Sequence, residues 1–187
     1  MTESATSELL AAADALERGG VIAYPTEAVF GLGCNPHNNL ALQRIINIKG
    51  RDAHKGFIVI ASQQSQLQAF VATPDARQQE QLDEHWPGPV TFVMPASKMF
   101  RNSLLSGYRD TLAVRVSTHP VVVKLCNLYK GAIVSTSANK SGETALRNAE
   151  SVRASIGAEL DVVVDAAVGA LDSPTRIIDL LSGERLR

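Results

Sequence analysis

The chain is 187 residues long, with 18 lysines and arginines against 19 acidic residues and two cysteines. That length predicts one domain over residues 1–187, able to bury roughly 70% of the surface of its unfolded chain without disulfide staples. A net charge of −1 excludes a surface basic all over, and the acidic N-terminus, the lack of a long apolar run and the unpaired Cys34 and Cys126 point to a cytoplasmic protein with neither signal peptide nor membrane span.

Leu9, Ala13 and Leu16 recur at helical spacing and predict a first helix over residues 8–18, closed by Gly19-Gly20. Residues 21–24 (Val-Ile-Ala-Tyr) read as a short buried strand cut off by Pro25, with a polar turn after it. Leu42, Ile45, Ile46 and Lys49 mark a second helix, capped by Asn38 or Asn39 and released at Gly50. Residues 57–61 are apolar on both faces, as expected of an interior strand. Thr73-Pro74-Asp75 predicts a third helix with Thr73 as its N-cap, running to about His85.

Strands are further expected at 90–94, 111–116, 132–135, 162–165 and 176–180, and helices at 120–128 and 149–156. The alternation describes an α/β protein with one mixed sheet and helices against it. It is partly antiparallel, because residues 90–116 hold no crossover helix. Residues 98–108 are the expected mobile loop.

Four segments offer polar chemistry. If the backbone past the second helix is extended, Lys49 and Arg51 project to one side and would grip a polyphosphate; a solvated basic patch at a helix end fits the pattern as well. Arg115 shares a strand face with Thr111 and Ala113, opposite Leu112, Val114 and Val116. A cation flanked by small residues borders a cavity, or else the strand is an edge with its arginine in water.

Ser135, Ser137 and Asn139 share a parity after an apolar strand and would present donors to phosphate or carboxylate oxygens, although such a string also makes a plain turn. Residues 25–33 bring a hydroxyl, a carboxylate and the weak Gly31-x-Gly33 pair just past the first strand. The chain contains no GxxxxGK[ST], GxSxG or HExxH motif, and its four histidines lack metal-ligand spacing, so no metal site is expected.

Taken in order, Val21-Ile22-Ala23-Tyr24-Pro25-Thr26-Glu27, Lys49-Gly50-Arg51, Trp86-Pro87-Gly88-Pro89-Val90-Thr91, Leu112-Ala113-Val114-Arg115-Val116 and Ser135-Thr136-Ser137-Ala138-Asn139 resemble the YrdC-like family in its short, single-domain TsaC type. The resemblance covers nearly the whole chain. It implies a twisted mixed parallel/antiparallel sheet around a deep basic cavity that holds ATP and L-threonine side by side. It further implies a nucleotidyltransferase that converts L-threonine, bicarbonate and ATP into L-threonylcarbamoyladenylate and diphosphate, the first step of threonylcarbamoyladenosine modification of tRNA.

By the same resemblance Lys49 and Arg51 are catalytic and face the ATP phosphates. Lys55, Thr111, Ser137, Asn139 and Arg187 complete the ATP site, and Thr26, Arg115, Ser135 and Thr175 line the threonine pocket. Mg²⁺ would arrive on ATP, and the product would pass to a tRNA threonylcarbamoyl-transferase complex. The family's common pattern has Thr and Tyr where Ala28 and Phe30 stand and proline where Asp52 stands. Weak tRNA binding in the same cavity, as an RNA-binding module, and a carbamoyl-handling activity are the alternatives on this fold.

Overall fold

Leu9, Ala12, Ala13 and Leu16 form the buried stripe of α1 (Glu3–Glu17) in the computed structural model, which describes residues 3–187. The helix starts ahead of the expected residue 8, since its first turn, Glu-Ser-Ala-Thr, carries no apolar period to mark it in the sequence. Gly19 ends it at φ 80°, where its N–H reaches the Leu16 carbonyl at 3.1 Å.

Two short strands follow, β1 (Ile22–Pro25) and β2 (Phe30–Gly33). Pro25 is the last residue of β1, opposite Phe30. The Phe30 N–H donates to Leu146 O at 2.8 Å, so the ladder asks no donor of the proline. The sequence reading missed β2, since its two glycines are poor strand formers and read as places of close backbone approach to a ligand. Gly33 is required there: a Cβ would lie 2.7 Å from Tyr24 Cε1 and 2.9 Å from Val134 O.

Asn38 caps α2 (Asn39–Lys49) by accepting from Leu40 and Ala41 N–H at 3.0 and 3.1 Å, and Gly50 closes it at φ 56°. After β3 (Ile58–Ala61) comes α3 (Ala76–Asp83), capped by Asp75 and not by Thr73. Asp75 and Gln78 exchange bonds at 2.8 and 3.0 Å, a reciprocal pairing that satisfies two N-terminal donors where threonine would satisfy one.

The remaining elements are β4 (Val90–Pro95), β5 (Thr111–Val116), α4 (Pro120–Tyr129), β6 (Ile133–Ser137), α5 (Ala149–Ile156), β7 (Val162–Val163) and β8 (Arg176–Asp179). Residues 98–108, expected to be mobile, are tied down. Phe100 and Leu105 are buried, Phe100 stacks on Phe70 at 4.9 Å, and Leu105 O accepts from Phe57 N at 2.9 Å.

All eight strands join one sheet in the order β7-β1-β2-β6-β3-β5-β4-β8. The β1/β7, β3/β5 and β4/β8 pairs are parallel and the others antiparallel, which is the mixed sheet expected. Alternation sends Ala23, Val59, Val114 and Val134 into one apolar cluster with α2 and α5. Ile22, Tyr24, Ile60 and Ile133 point the opposite way, into a second cluster under α1 and α4. No helix among the described residues is long and apolar enough to cross a membrane.

Candidate functional site

Helices α1 and α4 cover only part of their face of the sheet, and what they leave open becomes the site. Cross-strand pairing extends that face from Ile60 and Ile133 to Ile58, Ser135, Ala113 and Arg115, and from Tyr24 to Gly31 and Ser137. Gly31, Ala113 and Ser135 are small, so the face is hollow there. A Cβ on Gly31 would already stand 3.5 Å from Ser135 Oγ and from Thr136 O.

The hollow is a cavity of about 460 Å³ whose walls include Thr26, Arg51, Lys55, Arg115, Ser135, Ser137, Asn139, Thr175 and Arg187. These nine residues come from parts of the chain up to 161 positions apart, from 26 to 187. Two expected site residues are not on the wall, Lys49 and Thr111. Thr111 shares the face of Ala113 and Arg115 but stands at the outer end of β5, opposite Pro95.

Lys49 lies immediately behind the wall, with 5% of its surface exposed. It is the last residue of α2, and the left-handed Gly50, not an extended backbone, turns Arg51 toward the same place. Its ammonium donates to Ser137 O, to Asn139 O at 2.6 Å and more distantly to Ser137 Oγ at 3.5 Å. Burial lowers the Lys49 pKa to about 8, and repulsion from Arg51 and Lys55 adds to the shift.

Arg51 lies over the Phe57 ring at 5.1 Å and donates to Thr136 Oγ1 at 2.8 Å and to Gly56 O at 2.7 Å. Asp52, standing where proline is common, caps the following 3₁₀ turn that presents Lys55, its carboxylate accepting from His54 N at 2.9 Å. Asn139 spends its amide N–H groups on Lys140 O and Glu143 O, at 2.9 and 2.8 Å, and so rigidifies the turn after β6.

Arg115 is buried, and its Nη1 stands 3.1 Å from Glu27 Oε2. Burial lowers its pKa against the pull of that carboxylate. Thr26 Oγ1 donates to Val29 O at 2.7 Å, and Thr175 Oγ1 lies 3.3 Å from Thr91 Oγ1. Arg187, at the chain's last position, is fastened by Nε and Nη2 to Thr175 O at 3.2 and 3.0 Å. Its pKa is lowered by burial first and then by Arg115.

The sequence reading missed Arg109 and Thr136 on the wall, and it noted the carboxylate of Glu27, which lies behind the wall, without giving it a role. Arg109 lies in a turn with no periodicity, and its Nη2 donates to His54 O at 2.7 Å. Thr136 has the parity opposite to Ser135 and Ser137, yet it reaches the cavity where β6 is ending. No group of three or more potential metal ligands occurs among the described residues.

The family model Sua5_yciO_yrdC, described as "Telomere recombination", matches residues 14–187. The threonylcarbamoyl-AMP synthase of Halorhodospira halophila is 47% identical over 176 residues, which is 94% of this chain and 92% of that protein. That of Chromohalobacter salexigens is 48% identical over 173 residues, 92% of each chain. Among solved structures, Sua5 of P. abyssi complexed with L-threonine superposes with a TM-score of 0.87 at 29% identity. The match takes in 95% of this chain but 52% of that one, so this chain spans about half the length of that protein.

Proposed function

Because the chain belongs to the Sua5/yciO/yrdC family, we propose that it joins L-threonine, bicarbonate and ATP into L-threonylcarbamoyladenylate, diphosphate and water. The observation that carries this reading is the one hollow in which guanidinium, ammonium and hydroxyl groups from six segments of the chain converge. Threonine's amine takes up bicarbonate, losing water, to give an N-carboxylate anion. That anion attacks the α-phosphorus of ATP, the bond to the bridging oxygen breaks, and pyrophosphate departs.

An anionic nucleophile needs no strong protein base, so the chemistry asks for no nucleophile–base pair. What the site has to do is hold two anionic reactants together and stabilise charge on the leaving group. Arg51, Lys55, Ser137 and Asn139 suit the ATP phosphates and ribose, with Lys49 adding its charge from behind the Ser137 carbonyl. Arg187 is the further nucleotide contact on the wall, and Thr111, at the outer end of β5, would meet the nucleotide only where it extends beyond the wall. Mg²⁺ enters with ATP as part of the substrate, held by phosphate oxygens and water.

Thr26, Ser135 and Thr175 form the threonine end, and Arg115 receives the amino-acid carboxylate there. The adenylate then goes to the transferase complex that modifies tRNA. Two free, buried cysteines, whose thiol pKa values burial raises, suit a reducing cytoplasm. Purified protein should release pyrophosphate from ATP only when threonine and bicarbonate are both present, and Lys49→Ala should lose most of that rate. Release without threonine overturns the reading; an unimpaired Lys49→Ala enzyme removes Lys49 from it.

A further inference from the structure

Glu27 is a carboxylate with 8% of its surface exposed, and it is not part of the cavity wall. We propose that Glu27 is a positioning residue, which orients the Arg115 guanidinium toward the amino-acid carboxylate and holds the threonine end of the cavity in register. The inference rests on the reading of Arg115 as the partner of that carboxylate.

An arginine carries a rigid five-donor fork on a flexible stem, so one fixed negative charge beside one edge biases the direction of the others. Glu27 supplies that charge: its Oε2 stands 3.1 Å from Nη1 in an ion pair without hydrogen-bond geometry, and among the described residues it is the one acidic group ion-paired with Arg115. The carboxylate is itself held. Its Oε1 accepts from Ser117 Oγ at 2.5 Å, and Ser117 Oγ in turn accepts from His119 N at 3.0 Å. A carboxylate only accepts, so the serine hydroxyl points one way, and Ser117 N is fixed to Ala61 O at 2.9 Å.

The main chain at Glu27 adds a second tie. Leu171 N donates to Glu27 O at 3.0 Å and Gly169 N to Thr26 O at 2.9 Å, so the segment leading to Thr175 is strapped over this turn. Gly169 sits so close that a Cβ would lie 2.6 Å from Glu27 O. Thr26, Arg115 and Thr175 arrive from three distant parts of the chain; Glu27 adjoins Thr26 and meets Arg115, and the strap at residues 169–171 leads on to Thr175.

Charge neutralisation alone would also place an acid beside a buried arginine. The two roles separate in kinetics, because neutralisation predicts a less stable protein with unchanged discrimination between substrates. Glu27→Gln keeps the volume and an acceptor for Ser117 but turns an amide toward Nη1. Ser117→Ala keeps the charge and frees the carboxylate to rotate.

With pyrophosphate release as the readout, Glu27→Gln should raise the threonine KM by about tenfold or more, the scale expected of a slightly misplaced ligand group. The ATP KM, and the kcat at saturating threonine, should stay near wild type. Ser117→Ala should shift the threonine KM the same way by a smaller factor, and it decides the matter if Glu27→Gln does not fold. Arg115→Lys is the control: an unchanged threonine KM there removes Arg115 as the carboxylate partner. A raised threonine KM in Arg115→Lys, with wild-type values in folded Glu27→Gln and Ser117→Ala, overturns the positioning role and leaves the proposed function standing. Equal rises in the KM for threonine and ATP overturn it as well.

Discussion

The cavity has two cationic corners that are built differently. Around Lys49 and Arg51, the partners are neutral: the carbonyls of Ser137, Asn139 and Gly56 and the Thr136 hydroxyl. Around Arg115 there is an acid, Glu27, and both side chains are buried. A corner whose cations bond to dipoles, with the acid Asp52 near them but not ion-paired to Arg51 or Lys55, keeps most of its positive charge for a guest, which suits a triphosphate. A corner whose buried cation is already paired has less net positive charge, even with Arg187 beside it, and suits a zwitterion.

The largest test of that contrast is in stability. Arg115→Ala strands a buried carboxylate and should cost about 3–5 kcal/mol. Arg51→Ala removes hydrogen bonds to neutral oxygens and relieves repulsion on Lys49, so it should cost clearly less. Denaturant unfolding of the two variants checks this, and equal losses would erase the difference between the corners.

Next comes pH. Folding lowers the Lys49 pKa from near 10.5 to about 8, chiefly by burial. The unfolded chain therefore holds this proton where the folded chain has released it. The stability penalty is present in full below about pH 8 and fades as the pH approaches 10.5. The charge that the ATP corner relies on is lost over the same range. Pyrophosphate release should therefore decline as the pH rises through about 8, while the Lys49 contribution to stability increases. Lys49→Met should lack both trends, as pH–rate profiles and pH-dependent melting would reveal.

The smallest effect is that of salt. Because the paired corner has less net charge to screen, raising ionic strength should increase the ATP KM by a larger factor than the threonine KM. Parallel responses would mean that the acid beside Arg115 does not set the two ends apart.

Much of this architecture is legible in one dimension. Periodicity located α2, α4 and α5 nearly to the residue, since apolar spacing and caps such as Asn38 and Gly50 act locally. The polar face of β5 and the donors after β6 were visible because a strand's alternation shows which residues share a side. The strand β2 was not legible, because its identity depends on Tyr24 and Val134 crowding Gly33 from other strands. Asp75 displaced Thr73 as a cap through a reciprocal bond that composition does not reveal.

The sequence by itself determined the order of strands and helices apart from β2, the mixed α/β class and most of the groups able to meet an anion. These depend on contacts between near neighbours in the chain. Only the tertiary structure decided that Lys49 stands behind the cavity wall, that Arg109 and Thr136 join it, and that Glu27 meets Arg115. Those facts depend on residues 88 apart, as Glu27 and Arg115 are, being brought together by the sheet. Local spacing carries no information about such pairings.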